Sequence, residues 1–183
     1  MSARTSLKYI HLAYFSKPAQ ERVVYRQIRR RRPRSIVEVG VGNGQRAQRM
    51  IRLAAGIVGA EQFRYTGIDL FEARSSAHPG ITIKLAHKVL RPLAGKVQLI
   101  PGDPFSALSR SANSLTESEL VLIGADQDQE SIQRAWFYLP RMLSERSLVL
   151  LEEARSDGRS RFRQVSLAEV TQLAQRHAGR RAA

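Results

Sequence analysis

The chain has 183 residues, a formal net charge of +14 and no cysteine. Its length fits one domain with a buried core, and 43% hydrophobic with 25% charged residues is an ordinary globular composition. The lack of cysteine excludes disulfides, thiolate metal sites and cysteine nucleophiles. No stretch approaches the roughly 20 apolar residues of a membrane span, and the N-terminus lacks a signal-peptide pattern. We therefore expect a cytoplasmic protein that does not bind membranes.

The predicted secondary structure alternates between strands and helices. Strands are predicted at 35–39, 63–69, 96–100, 119–123 and 147–151. Helices are predicted at 18–31, 45–57, 82–91, 104–112 and 129–143, and the remaining tail has room for a strand near 162–165 and a helix at 166–177. Nearly apolar strands in alternation with helices predict an α/β fold, in which a Rossmann-like, mostly parallel sheet has helices on both faces. We expect a single domain with an N-terminal helical segment (1–33), a core (34–155) and a C-terminal segment (156–183).

The positive charge comes mostly from arginine, with a cluster at residues 29–32 followed by Arg34. Such charge favours nucleic acid or another polyanion as a partner. The alternative is an arginine-rich composition spread over a solvated surface, and no aromatic residues suited to base stacking interleave with the cluster. We therefore predict weak nucleic-acid binding that is lost as salt is raised.

The loop after the first predicted strand contains Gly40, Gly42 and Gly44, which follow Glu38 at alternate positions. Ligands of parallel sheets bind beyond the carboxyl ends of the strands, where glycines let the backbone approach them closely. Gln45 directly after the last glycine fits neither the lysine of a phosphate-binding P-loop nor the small residue of the dinucleotide fingerprint. The loop therefore points to a different nucleotide-related ligand.

Two further loops present carboxylates after strands. Asp69 ends the second strand, where a carboxylate can accept hydrogen bonds from both hydroxyls of a ribose, although a helix N-cap is the alternative role. Asp103 precedes Pro104 after the third strand, and this pair also suits the start of a helix.

The spacing Glu-x-Gly-x-Gly-x-Gly resembles the first motif of the class I S-adenosylmethionine-dependent methyltransferases, and the resemblance covers roughly residues 18–155. It implies S-adenosylmethionine as the cofactor, with the glycine loop against its methionine part and Glu38 helping to orient its ammonium group. It also implies that Asp103 and its neighbours lie beside the adenine. The implied cofactor-binding residues are Glu38, Gly40, Gly42, Asn43, Gly44, Asp69, Leu70, Asp103, Pro104 and Asp126.

The segment GADQ after the fourth strand is similar to the Asp-Gly-Asp-His segment of one branch of small-molecule O-methyltransferases. In that branch the next helix ends in Leu-Pro, and the ending Leu139-Pro140 matches it. Gly124 replaces the first aspartate, which in metal-dependent relatives contributes to the cation site. We therefore expect no bound metal ion, with Asp126 and Asp128 neutralised by arginines such as Arg134 and Arg155.

Methyl transfer needs an aligned acceptor and, for a hydroxyl acceptor, a base. The candidate bases are Asp126, Asp128, Glu152 and His11, of which His11 lies in a segment that often folds over the substrate in this family. Complete members add a helix and an antiparallel hairpin after the fifth strand. The sheet of this chain is therefore either truncated or its tail is used otherwise.

Three functions follow from these patterns. The first is a metal-independent S-adenosylmethionine-dependent methyltransferase that acts on a small-molecule acceptor. The second is a cofactor-binding or regulatory protein of the same fold without transfer, which Gly124 and the short tail favour. The third is an RNA methyltransferase, which only the charge favours. The acceptor and the oligomeric state, a homodimer included, are left open by the sequence.

Overall fold

The computed structural model describes Leu7, residues 9–76 and residues 79–179. Its centre is a six-stranded sheet in the order β3-β2-β1-β4-β5-β6, where β1 to β5 are parallel and β6 is antiparallel to β5. The strands are β1 (Ser35–Val39), β2 (Arg64–Asp69), β3 (Lys96–Pro101), β4 (Leu120–Ile123), β5 (Leu148–Ala154) and β6 (Ser160–Val165). The predicted Rossmann-like α/β fold is confirmed.

The helices occupy the predicted stretches, with one marked difference. The α-helices are α1 (Arg22–Arg31), α2 (Gln45–Val58), α3 (Ile83–Leu90), α4 (Pro104–Ser111), α5 (Gln129–Ala135) and α6 (Leu167–Gly179). The helix predicted at 129–143 is α-helical only as far as Ala135 and continues as the 3-10 helix Trp136–Met142. Pro140 explains the change, because proline has no N–H to donate and its ring clashes with the carbonyl four residues earlier.

Helices cover both faces of the sheet. Because side chains alternate along each strand, neighbouring strand residues belong to different cores. Ile36 of β1 belongs to a core that includes Tyr25 of α1, Met50 of α2 and Leu90 of α3. Val37 belongs to a second core, on the other face, with residues of α4, α5, α6 and the 3-10 helix. With both faces covered, the ends of the strands are where a ligand can reach the sheet.

The C-terminal part of the described chain adds one antiparallel strand to the sheet. β6 returns along β5, with Val165 opposite Val149 and Ser160 opposite Ala154, and α6 follows it directly. Complete members of the resembled family have a hairpin of two more strands at this edge, and one strand stands here within residues 79–179. Among the described helices, none combines the length and the apolar character needed to cross a bilayer.

Candidate functional site

The candidate site lies at the carboxyl ends of the strands, in the loops that follow β1, β2, β3 and β4. The backbone N–H of Gly40 donates to the Ile68 carbonyl, and that of Gly124 to the Val39 carbonyl, both at 2.8 Å. The loops after β1 and β4 therefore leave the sheet side by side and then diverge to opposite sides, which is the usual place for a ligand crevice in such sheets.

The glycines of the first loop serve different purposes. Gly40 and Gly42 have φ angles of +96° and +60°, in a region that side chains disfavour. A Cβ on Gly40 would lie 2.6 Å from Nε2 of Gln127, whereas nothing lies within 4 Å of a Cβ on Gly42. Gly40 therefore lets the loop after β4 pack on the loop after β1. Gly42 leaves space beside the N-terminus of α2, where the Asn43 side chain accepts a hydrogen bond from the backbone of the first helical residue at 3.0 Å.

Glu38 is fully buried on the face of the sheet that packs against α2. Its Oε1 accepts a hydrogen bond from Nε of Arg46 at 2.7 Å, and its Oε2 accepts one from the Tyr65 hydroxyl at 2.5 Å. Arg46 also donates to the Gly40 carbonyl at 2.8 Å and to Glu152 at 3.0 Å. Burial raises the pKa of Glu38, and the contacts with Arg46 and Tyr65 oppose that rise. The chain thus supplies its own cation to the carboxylate of the first motif.

Asp69 ends β2 and is 1% exposed. Its Oδ1 accepts hydrogen bonds from the Phe71 backbone at 3.0 Å and from Nε of Arg74 at 2.5 Å. Its Oδ2 accepts from the Gly42 backbone at 2.8 Å and from Nη2 of Arg74 at 2.6 Å. A carboxylate offers about four acceptor positions. All four are used within the chain.

Asp126 lies in the loop after β4, and its side chain is 42% exposed. It accepts hydrogen bonds from Nη1 of Arg74 at 2.5 Å and from the Gln127 amide at 2.7 Å. Partial burial acts to raise the pKa of Asp126, but the hydrogen bonds from Arg74 and Gln127, together with the charges of Arg74 and Arg46, hold the pKa below the ordinary value. Asp126 is therefore ionised and paired.

The arginines expected to neutralise these carboxylates were wrongly identified from the sequence. Arg134 lies over the Phe105 ring, 3.7 Å from its centroid, and Arg155 is paired with Asp157 at 3.6 Å. Asp128 caps the N-terminus of α5 by accepting a hydrogen bond from a backbone N–H at 2.7 Å. Sequence proximity failed here because the actual partner of Asp126, Arg74, is 52 residues away in the chain.

Asp103 caps α4 and connects it to α5. It accepts hydrogen bonds from the Ser106 backbone at 3.1 Å, from the Ser106 hydroxyl, and from the Ser131 hydroxyl at 2.5 Å. Burial acts to raise the pKa of Asp103, but the bonds from these two serines lower it to about 2. The N-cap role is therefore present, and the carboxylate still borders the cleft described next.

A cleft of about 110 Å³ lies between the loops after β2, β3 and β4. It is lined by Asp69, Leu70, Arg74, Ser75, Asp103, Pro104, Asp126, Gln127 and Asp128. Four carboxylates face one guanidinium here, although the chain as a whole carries a net charge of +14. The cleft is thus a local acidic site, and it is smaller than the roughly 300–1,000 Å³ of typical ligand pockets.

The other two candidate bases lie outside the cleft lining. Glu152 accepts hydrogen bonds from Arg46 at 3.0 Å and from the Ser160 hydroxyl at 2.5 Å, so its carboxylate is paired within the chain. His11 is exposed on the helical turn His11–Phe15. In the described part of the chain, no group of three or more histidine, aspartate and glutamate side chains is arranged to hold a metal ion.

No protein-family model matches the chain, and no curated protein matches it. Solved structures do match it at low identity. An O-methyltransferase from Bacillus cereus in complex with SAH has a TM-score of 0.58 and 13% identity, over 98% of this chain and 79% of that one. A TDP-rhamnose 3'-O-methyltransferase of calicheamicin biosynthesis has a TM-score of 0.58 and 18% identity, over 94% and 83%. The MycE methyltransferase of the mycinamycin pathway, in complex with Mg, SAH and mycinamycin VI, has a TM-score of 0.50 and 16% identity. That match covers 82% of this chain and 38% of the MycE chain. The fold is that of O-methyltransferases.

Within this methyltransferase fold, the sequence analysis did not identify the two arginines that bind the carboxylates of the site. Arg46 binds Glu38, and Arg74 binds Asp69 and Asp126. Arg46 had one local signal, because it is the second residue of α2, where the helix dipole disfavours a cation unless acidic groups lie nearby. Arg74 had none, since it follows the short 3-10 helix Phe71–Ala73 in an irregular segment.

The N-cap of α4 gives a stability prediction. Asp103→Ala is expected to lower the free energy of unfolding by about 1–2 kcal/mol at neutral pH, because three donors lose their acceptor. The folded pKa of about 2 lies below the ordinary value of 3.8, so this stabilisation is present above pH 4 and is lost as the pH falls towards 2. Urea unfolding of parent and variant at pH 7 and pH 3 measures the change. Glu145→Ala, at an exposed position outside the helices, is the control, and a pH-independent difference for Asp103→Ala would contradict the assignment.

Proposed function

We propose that this chain binds S-adenosylmethionine and transfers its methyl group to a small-molecule acceptor without a metal ion. The observation that carries the proposal is the alignment of Glu38, Asp69 and Asp103 at the carboxyl ends of the adjacent strands β1, β2 and β3. An acidic cleft at this edge of a strongly basic chain suits a cationic sulfonium ligand better than an anionic nucleotide.

The residues around the cleft fit the nucleoside end of this cofactor. Asp69 would accept the ribose hydroxyls, Leu70 offers an apolar surface that is 42% exposed, and Asp103 with Pro104 would flank the adenine. The open space at Gly42 leaves room for the methionine part of S-adenosylmethionine. When bound, S-adenosylmethionine supplies an electrophilic methyl carbon on sulfur. The protein then has to hold the acceptor in line with that carbon.

The lowered pKa of Asp126 bears on the class of acceptor. A general base works best when its pKa lies near the operating pH, so a carboxylate held below its ordinary pKa is a weak base for an alcohol. We therefore favour an acceptor that loses its proton without help from Asp126, such as an acidic hydroxyl, and for which the protein supplies mainly position.

A cofactor-binding protein without transfer is the second candidate, and a specific observation favours it. Two of the candidate bases are paired with arginines of the chain itself, Asp126 with Arg74 at 2.5 Å and Glu152 with Arg46 at 3.0 Å, so neither is free to take a proton from an acceptor. Such a protein would bind S-adenosylhomocysteine and show no turnover. Calorimetry with S-adenosylhomocysteine, followed by turnover with S-adenosylmethionine and a panel of carboxyl, hydroxyl and amine acceptors, separates the two candidates. A protein that binds no adenosine ligand would rule out both.

Metal independence gives a further prediction. Chelation is expected to change neither S-adenosylhomocysteine binding nor any turnover found, because Asp126 is paired with Arg74 and Asp128 caps α5. Elemental analysis of the purified protein and turnover with and without chelator are the measurements. Stoichiometric magnesium or calcium, or activity lost on chelation, would restore a metal-dependent mechanism.

A further inference from the structure

Arg74 occupies the acceptor positions that a ribose would need on Asp69. Its Nε and Nη2 donate to the two oxygens of Asp69 at 2.5 and 2.6 Å. The two remaining positions are filled by the backbone N–H groups of Gly42, in the loop after β1, and of Phe71, in the loop after β2. Since the backbone donors cannot leave without dismantling those loops, a ribose can bind Asp69 only in exchange for the guanidinium.

The same guanidinium connects opposite sides of the cleft. Its Nη1 donates to Asp126 at 2.5 Å, which joins the loop after β2 to the loop after β4. The Arg74 side chain is 7% exposed, so it lies inside the cleft and not on its outer surface. The volume that remains, about 110 Å³, is below the roughly 300–1,000 Å³ of pockets that enclose small ligands.

The segment that carries Arg74 is held in one strained conformation. Phe71 is buried and has a φ angle of +51°, which is costly for a residue with a Cβ. Its N–H is the one bound by Asp69 at 3.0 Å, so the strained residue is fixed by the carboxylate that Arg74 also holds. A Cβ on Gly80 would lie 2.7 Å from Cδ of Arg74, so the arginine also depends on a glycine to reach this position.

We propose that Arg74 is a latch that competes with the cofactor for Asp69. The inference rests on the proposed function, because it concerns the same adenosine site. The latched state does not admit the ribose, so the apparent affinity equals the intrinsic affinity reduced by the fraction of molecules with Arg74 released. Removing Arg74 therefore strengthens cofactor binding. A residue that contacts the cofactor or orients Asp69 would give the opposite sign.

The test is calorimetry with S-adenosylhomocysteine on the full chain and its Arg74→Met variant. Methionine keeps the unbranched apolar stem and removes all donors to Asp69 and Asp126. We expect binding to tighten by about tenfold or more, as charge-assisted hydrogen bonds to Asp69 no longer oppose it. Arg110→Met is the matched control, because it removes a cation at the same edge of the sheet, where Arg110 donates to the Pro101 carbonyl at 3.1 Å. Its affinity is expected to stay within about twofold of the parent.

The other outcomes separate the latch from the proposed function. Weaker or equal binding by Arg74→Met, with the parent binding intact, would overturn the latch and leave the adenosine site standing. An absence of binding by both proteins at millimolar ligand would overturn both proposals. Arg74→Lys covers the case in which the methionine variant does not fold. A lysine keeps the charge but cannot make the bidentate pair, so it should also bind more tightly than the parent, and weaker binding would overturn the latch.

Discussion

Arg46→Met is expected to lower the free energy of unfolding by about 3–5 kcal/mol, because it leaves Glu38 as a buried carboxylate without its cation. The variant also lacks the hydrogen bonds from Arg46 to the Gly40 carbonyl and to Glu152, which connect the end of β1 to β5. Urea unfolding monitored by circular dichroism measures the loss. Arg155→Met is the control, since the exposed pair of Arg155 with Asp157 at 3.6 Å is worth at most about 1 kcal/mol.

The pH dependence of this variant identifies Glu38 as the cause. Without Arg46, burial leaves the folded pKa of Glu38 above its unfolded value, and the Tyr65 hydroxyl remains beside it. A raised folded pKa favours the folded state below the unfolded pKa and loses that contribution as the pH rises through the folded pKa. The deficit of Arg46→Met should therefore be smaller at pH 5 than at pH 8.

A second substitution completes this test. Adding Glu38→Gln to Arg46→Met removes the unpaired charge and keeps an acceptor for Tyr65, so it should recover a large part of the loss. A loss of less than about 1 kcal/mol for Arg46→Met alone would show that the buried pair does not contribute as its geometry indicates.

The positions of the carboxylates could be predicted from the sequence because they depend on local patterns. Parallel strands bring their carboxyl ends to one edge of the sheet, so recognising β1, β2 and β3 was enough to place Glu38, Asp69 and Asp103 there. The N-cap role of Asp103 followed likewise from its position before Pro104. Periodicity and capping depend on a few neighbouring residues, so the sequence was enough to predict the positions of these carboxylates and the N-cap of α4.

The partners of those carboxylates could not be predicted, since they depend on which distant segments the fold brings together. Arg46 reaches Glu152 across 106 positions of the chain, and Arg74 reaches Asp126 across 52. Among the many arginines of this sequence, nothing local distinguishes Arg74 from those that are solvated. The sequence could therefore indicate an edge of the sheet with several carboxylates, but not that arginines of the same chain neutralise some of them.

If Asp69 binds the ribose as proposed, Asp69→Ala is expected to weaken S-adenosylhomocysteine binding by at least about a hundredfold, because two charge-assisted hydrogen bonds are lost together. The backbone N–H groups of Gly42 and Phe71 lose their acceptor as well, so the loops after β1 and β2 are no longer held at the cleft. Asp128→Ala is the matched control. It removes a carboxylate from the same cleft and the cap of α5, but no bond to the proposed ribose position.

The double variant Asp69→Ala/Arg74→Met distinguishes the role of Asp69 from that of its partner. If Asp69 binds the ribose, removing Arg74 strengthens binding only while Asp69 is present, so the double variant should bind as weakly as Asp69→Ala alone. If Asp69 serves only to hold the arginine in place, Asp69→Ala should release the guanidinium and bind the ligand at least as well as the parent. Calorimetry on the four proteins of this cycle decides between the two, and binding by Asp69→Ala as tight as that of the parent would rule out Asp69 as the acceptor of the ribose hydroxyls.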